Sequence, residues 1–187
     1  MRFLTVSIFV FISVIARTQS LQFYREDISF TINNGYFYVD GIYNFCNNSD
    51  AEIKKTLFYP FPQDVSYGDV DSVFAMDVKK DSISALSKYG ETGAYFYINI
   101  EPYGVRSYRV GYRQKIKDNK VEYILMTTRN WGSPFDNAYY KLTISTNYSI
   151  ESLSYEPDSV ILNNEYKVYY WTKKNFMPDK NFIVEFK

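Results

Sequence analysis

The chain has 187 residues, of which 46% are hydrophobic and 20% aromatic, and its 21 basic side chains balance 21 acidic ones. This apolar content excludes a disordered chain, and the absence of net charge does not favour nucleic acid or anionic membrane surfaces as partners. The chain contains no His, which excludes Ser-His-Asp and Cys-His nucleophile systems and the usual catalytic zinc sites, because these rely on imidazole.

Residues 1–20 are predicted to be a secretory signal peptide. Arg2 precedes an apolar run from Phe3 to Ala16 that is shorter than the roughly 20 residues needed to span a bilayer. Small residues suited to cleavage follow it. We therefore expect residues 21–187 to form one domain, secreted or in the cell envelope or periplasm, with no membrane span in the mature chain. An uncleaved membrane anchor is the alternative.

The composition after the signal favours β-structure, because Tyr, Phe, Val, Ile and Thr suit a half-buried pleated surface. Turn-like Asn, Gly, Asp and Pro clusters separate short apolar runs about every ten residues. This pattern predicts an all-β fold, an antiparallel β-sandwich (Ig-like or related) with about ten or more short strands. A helical turn over residues 80–88 is the one exception. The predicted strands lie at 23–32, 35–45, 53–59, 72–79, 121–128, 138–146, 150–154, 160–162, 166–171 and 182–186.

Residues 94–116 carry the clearest pattern, two alternating runs joined by a Pro/Gly turn. The first run places Ala94, Phe96, Ile98 and Ile100 on one face, and the second places Arg109, Arg113 and Lys115 on a polar face. Pro102 pre-sets one turn dihedral and Gly104 can take positive φ. The pattern predicts a β-hairpin whose basic face is an ordinary solvated strand face.

Cys46 is the only cysteine, so no disulfide can form within the chain. In an exported protein it could be a reactive thiol or an intermolecular bridge. We expect burial instead, as a small apolar residue in a strand.

Five carboxylates, Asp64, Asp69, Asp71, Asp77 and Asp81, cluster along the chain. They could line a Ca²⁺ site, but their spacing does not match a calcium-loop motif. A solvated acidic loop is the favoured interpretation, so no metal site and no cofactor are predicted.

Two short sequons, at Asn47 and Asn147, are weak matches that matter only in a glycosylating host.

Loop aromatics are the remaining candidates for binding. Trp131 and Phe135 lie between predicted strands, where a large ring is free to meet a partner such as the C–H face of a sugar. The alternative is that Trp131 folds back to close the end of the sandwich. Trp171, at the end of a strand, is expected in the core.

One partial resemblance adds to this. Residues 42–48 (IYNFCNN), then 58–62 (FYPFP), then the 94–116 segment resemble the layout of the vault/inter-alpha-trypsin type β-sandwich domain. They are also similar to exported bacterial β-domains of unknown function. The resemblance covers residues 41–116. It implies an antiparallel sandwich with structural or interaction roles and no catalytic residues.

The sequence therefore leads to three hypotheses. The first is an exported, non-enzymatic β-sandwich with a structural or interaction role and an unknown protein or glycan partner. The second is a carbohydrate- or small-ligand-binding module that uses loop aromatics. A glycosidase-like hydrolase is the least favoured, because two carboxylates would suffice for it without His but no pair can be identified.

Overall fold

The computed structural model describes residues 20–80 and 85–187. The predicted signal peptide, apart from Ser20, lies outside the described residues, and so does Asp81. None of the helices within the described part of the chain is long and apolar enough to cross a membrane.

The described residues form thirteen strands and one short 3-10 helix, which confirms the all-β prediction. In chain order they are β1 (Leu21–Asn33), β2 (Tyr36–Asn47), β3 (Ile53–Pro60), β4 (Tyr67–Asp77), β5 (Leu86–Gly90), β6 (Gly93–Ile100), β7 (Val105–Ile116), β8 (Lys120–Tyr123), the 3-10 helix (Met126–Trp131), β9 (Phe135–Ser145), β10 (Ile150–Leu153), β11 (Ser159–Leu162), β12 (Tyr166–Phe176) and β13 (Phe182–Phe186).

The strands form one wide sheet and two narrow ones. The seven-stranded sheet has the order β11-β12-β9-β1-β2-β7-β4, and the narrow sheets are β10-β13-β8 and β3-β6-β5. All neighbours pair antiparallel except β1 and β9, which run parallel. The architecture is therefore a mostly antiparallel sandwich with one parallel pairing at the centre of its wide sheet.

Both narrow sheets cover the same face of the wide sheet. Phe182 of β13 stacks on Phe30 of β1 with ring centroids 4.5 Å apart, and Tyr59 of β3 meets Tyr43 of β2 at 5.6 Å. Alternate residues of β1, β2, β7 and β9 point into this aromatic core because successive strand side chains face opposite sides. The opposite face of the wide sheet, here called the outer face, carries polar and half-exposed side chains.

The predicted hairpin over residues 94–116 is wrong as a pairing, although its alternation is confirmed. β6 pairs with β3 and β5, whereas β7 pairs with β2 and β4. The two strands face each other across the core, with the rings of Phe96 and Tyr108 6.1 Å apart. The turn residue with positive φ is Tyr103, at 53°, and not Gly104. The alternation of apolar and polar residues shows which face of a strand is buried. It does not show which other strands that strand pairs with.

Two further predictions of local structure need correction. The strand predicted over 121–128 ends at Tyr123, and the 3-10 helix begins at Met126. That helix ends at Trp131 and is capped by Gly132, whose φ of 70° suits a residue without Cβ. The helical turn predicted over 80–88 is wrong from Leu86 onward, where β5 begins, and residues 81–84 lie outside the described residues.

Gly111 in β7 allows the close approach of strand β2. A Cβ at this position would collide with the carbonyl oxygen of Val39 and with the ring of Phe74. We expect Gly111→Ala to lower the free energy of unfolding by about 2 kcal/mol, because overpacking forces backbone shifts. Gly90→Ala is the matched control, since nothing lies within 4 Å of the added Cβ. Urea unfolding of both variants checks this, and equal effects would contradict it.

The sequon residue Asn47 has a structural role at the end of β2. Its Nδ2 donates to the carbonyl oxygens of Ala51 at 2.7 Å and Glu101 at 3.0 Å, and its Oδ1 accepts from the backbone N–H of Ser49. We expect Asn47→Ala to cost about 2 kcal/mol of stability, because it removes a buried amide and the backbone groups held by it in part-buried hydrogen bonds lose their partner. Thermal unfolding measures this. The exposed second sequon supplies the control, Asn147→Ala, and a comparable loss there would contradict the prediction.

Candidate functional site

A cavity of about 60 Å³ lies between the wide sheet and both narrow sheets. We call it the tyrosine pocket and define it by six of the side chains that line it: Glu26, Tyr43, Tyr59, Tyr123, Thr128 and Trp131. Rings of Phe23, Phe45 and Phe96 complete much of its wall. The pocket is therefore an aromatic chamber with a single charged side chain in its lining.

A bulge in β1 places Glu26 in this chamber. The register with β2 shifts between Phe23 and Arg25, so the buried positions change from Leu21 and Phe23 to Glu26 and Ile28. A β-bulge inserts one extra residue and re-aims the side chains beyond it. Without the bulge, strict alternation would place Phe23 on one side of the sheet and Glu26 and Ile28 on the other.

Tyrosine hydroxyls hold the Glu26 carboxyl group. Tyr140 donates to Oε1 at 2.5 Å and Tyr123 donates to Oε2 at 3.3 Å. The Tyr43 oxygen lies 3.1 Å from that of Tyr123 and 2.7 Å from that of Tyr59. Each hydroxyl has one proton, so when Tyr123 donates to Glu26 it accepts from Tyr43, which accepts from Tyr59. The hydrogen bonds of Tyr140 and of the Tyr59-Tyr43-Tyr123 chain then converge on one carboxylate.

Burial controls the ionisation of this cluster. Glu26 is 1% exposed, and desolvation raises its pKa to about 7 against the opposing effect of the Tyr140 and Tyr123 hydrogen bonds. Desolvation also raises the pKa values of Tyr43 and Tyr123 well above 10. Near neutral pH the tyrosines therefore stay protonated, whereas Glu26 is present in both its protonated and its ionised form.

Trp131 lies at the rim of the pocket, at the end of the 3-10 helix. Its ring packs on Phe23 at 5.7 Å and on Phe45 at 5.6 Å, while part of it stays exposed. The Lys55 ammonium lies 6.0 Å from its ring centroid. Trp131 thus covers the core, as one interpretation of the sequence expected, and also lines the candidate site.

The other sequence candidates lie elsewhere. Phe135 is fully buried, with its ring 4.7 Å from that of Phe23, so it supports the pocket wall and offers no surface to a ligand. Trp171 is 1% exposed, which confirms its predicted place in the core. The burial predicted for Cys46 is wrong. Its side chain is half-buried on the outer face, with Sγ 3.6 Å from Gln22 Oε1, because its parity in β2 is opposite to that of Phe45.

The clustered aspartates have separate local partners. Asp71 pairs with Arg113 Nε at 2.7 Å, while Asp64 and Asp77 accept the backbone N–H groups of Ser66 and Lys79. In the described ranges, no group of three or more acidic, Cys or His side chains could hold a metal ion.

The outer face contains two shallow depressions of about 360 and 480 Å³. They adjoin at Asp40, which pairs with Arg109 at 2.5 Å, and the Arg109 guanidinium lies over the Phe74 ring. Arg113 likewise lies over Tyr36. Arg109 and Arg113 are thus each paired with an aspartate, in keeping with the solvated strand face expected from the sequence.

The fold and the pocket define a class of protein. It is a β-sandwich of one wide sheet and two narrow sheets that enclose an aromatic chamber with one acidic side chain, Glu26. Residues 108–184 match the model of a domain of unknown function, DUF4424. This match covers less than half of the chain. No curated protein matches the sequence.

Solved structures share the architecture. A putative nutrient binding protein from Legionella pneumophila matches with a TM-score of 0.68 and 14% identity over 88% of this chain and 66% of that chain. An M1 zinc metallopeptidase from Deinococcus radiodurans matches with a TM-score of 0.54 and 12% identity over 90% of this chain and 43% of that chain. The chain thus spans less than two thirds of either protein, and at these identities the matches show the fold alone. None of these matches shows the resemblance to vault/inter-alpha-trypsin type domains.

Proposed function

We propose that this protein is an exported, non-enzymatic module that binds a small organic ligand in the tyrosine pocket. The observation that carries the proposal is the buried Glu26 carboxyl group, held by tyrosine hydroxyls inside an aromatic cavity. An apolar pocket with a few convergent polar groups and a perturbed pKa is typical of a binding site. The nutrient-binding name of the Legionella structure is consistent with ligand binding.

The chemistry of the pocket supports binding over hydrolysis. Glycoside hydrolysis uses two carboxyl groups that flank the scissile bond, and the lining of the pocket contains only Glu26 as an acid. The chain also contains no His to activate a nucleophile. This argues against the glycosidase-like hypothesis at the tyrosine pocket.

A fragment screen by ligand-observed NMR tests the proposal on the mature chain, residues 21–187. We expect hits whose binding changes the Trp131 fluorescence and whose signal is lost in Trp131→Ala, with the fold checked by circular dichroism. Trp171→Phe is a second variant that leaves Trp131 as the sole indole. A blank screen, or hydrolysis of glycans, esters or peptides by the purified chain, would overturn the proposal.

A second candidate is an interaction role, favoured by β11 at the edge of the wide sheet. Val160, Ile161 and Leu162 are 45%, 56% and 68% exposed, and one edge of the strand has no neighbour among the described strands. Such edges can pair with a second copy of the chain. Analytical ultracentrifugation should then show self-association that Ile161→Lys abolishes, and a monomeric wild-type chain would exclude this mode.

A further inference from the structure

We infer that the tyrosine pocket selects ligands that carry an ammonium group, with Glu26 as its counter-ion and the surrounding rings as its cage. This inference rests on the proposed binding function and specifies its ligand class. It follows from the charge, the aromatic lining, the size and the rim of the pocket.

The lining combines the two groups that recognise an ammonium ion in a water-poor site. Aromatic faces attract cations through their negative quadrupole, most strongly for Trp and Tyr, and Tyr43, Tyr59 and Trp131 line this cavity. Glu26 supplies the single formal charge of the lining. The low dielectric around a buried carboxylate strengthens its attraction to a cation.

The chain already places one ammonium against the rim. Lys55 Nζ lies over the Trp131 ring, 6.0 Å from its centroid. Lys55 follows the same parity along β3 as Leu57 and Tyr59, which line the pocket. The Trp131 ring therefore presents a face to cations in the free protein.

The size of the cavity limits what enters. At about 60 Å³, it is small beside the roughly 300–1,000 Å³ of a typical pocket for a drug-sized ligand. A compact ammonium head group suits a chamber of this size. The more exposed side chains of the lining include the apolar Phe58, Pro60 and Trp131, so a short hydrocarbon tail would contact them while the charged end points inward.

Proton exchange links such binding to pH. The groups that face Glu26 are Tyr140 from β9 and Tyr123 from β8, with Tyr43 from β2 next in the chain of hydroxyls. Asp27, its neighbour on β1, also favours the protonated form. The tyrosines stay neutral, so a cation binds the ionised form of Glu26. Binding is expected to strengthen as pH rises through about 7, the pKa of Glu26.

The test compares n-propylammonium with its neutral isostere n-propanol on the mature chain, by ligand-observed NMR and Trp131 fluorescence. We expect n-propylammonium to bind at pH 8 and to bind about tenfold or more weakly at pH 5.5, where the carboxyl is protonated. n-Propanol should bind weakly and without this pH dependence. Glu26→Gln should abolish the preference for the cation, and Glu185→Gln, which changes a half-exposed carboxylate of β13, should preserve it.

Tyr140→Phe provides a variant that keeps the acid. The hydrogen bond from Tyr140 lowers the pKa of Glu26. Its loss in Tyr140→Phe should therefore raise that pKa and move the midpoint of the pH profile of binding upward. Equal binding of both probes, or cation binding unchanged in Glu26→Gln, would overturn the ammonium inference. A fragment screen with neutral hits would then leave the proposed binding function standing, whereas a blank screen would overturn both.

Discussion

Glu26→Gln is expected to stabilise the protein by about 3 kcal/mol at pH 8 and to leave its stability nearly unchanged at pH 4.5. The pKa of Glu26 rises from 4.5 to about 7 on folding because the carboxyl group is desolvated. Between these values the unfolded chain has released the proton that the native chain retains. The contribution of Glu26 is therefore fully present below about pH 4.5 and is lost as the pH rises through about 7. Gln resembles the protonated acid and escapes this loss.

Urea unfolding of both proteins between pH 4.5 and 8.5 measures the difference. Acidic groups with lowered pKa values, such as Asp71 beside Arg113, destabilise both proteins on acidification and cancel in the comparison. Glu185→Gln, which removes a half-exposed carboxylate of β13, serves as the control and should not reproduce the gain in stability at pH 8. A wild type that is more stable than Glu26→Gln at pH 8 would contradict the prediction, because the hydroxyls would then outweigh the desolvation.

Phe182→Ala is expected to lower the free energy of unfolding by about 3–5 kcal/mol, the range for removal of a buried Phe. Its ring stacks on Phe30 at 4.5 Å and meets the edge of Trp171 at 5.0 Å. These contacts join the β10-β13-β8 sheet to three strands of the wide sheet, since the ring also approaches Tyr140 at 6.0 Å. The cavity left by the substitution would lie among stacked rings that have little freedom to collapse.

Thermal and urea unfolding should agree on this loss. Val65→Ala is the control, because Val65 is 80% exposed and should change stability by less than about 0.5 kcal/mol. A loss of under 1 kcal/mol in Phe182→Ala would mean that the narrow sheet contributes little to the core.

The sequence predicted the strands well where alternation was strong, as in Ala94–Ile100, and it placed Trp171 correctly. It failed on pairing, because β6 and β7 carry the alternation of a hairpin but belong to opposing layers. Alternation reports one buried face per strand, and the neighbours depend on contacts between distant parts of the chain. The parallel pairing of β1 with β9 was hidden for the same reason.

The candidate site was only partly predictable. Trp131 was identified as a large ring in a loop, but Glu26 was overlooked as one acid among charged neighbours. A signal was present: the alternation of Ile28, Phe30 and Ile32 extends back to Glu26 and assigns it to the core face. The bulge that separates this alternation from that of Leu21 and Phe23 obscured it, and the tyrosines that surround the acid come from four other strands.

The parallel pairing of β1 with β9 also determines the order in which the sheet can be completed. A short turn joins β1 to β2, which pairs with one edge of β1. The other edge of β1 pairs with residues 137–144, which lie more than a hundred positions later in the chain. Until β9 emerges, β1 is an edge strand with Phe30 and Ile32 on its apolar face. Exposed apolar edges attract other chains, and such distant closure slows folding. The nascent protein is therefore most vulnerable to aggregation while its C-terminal third is missing.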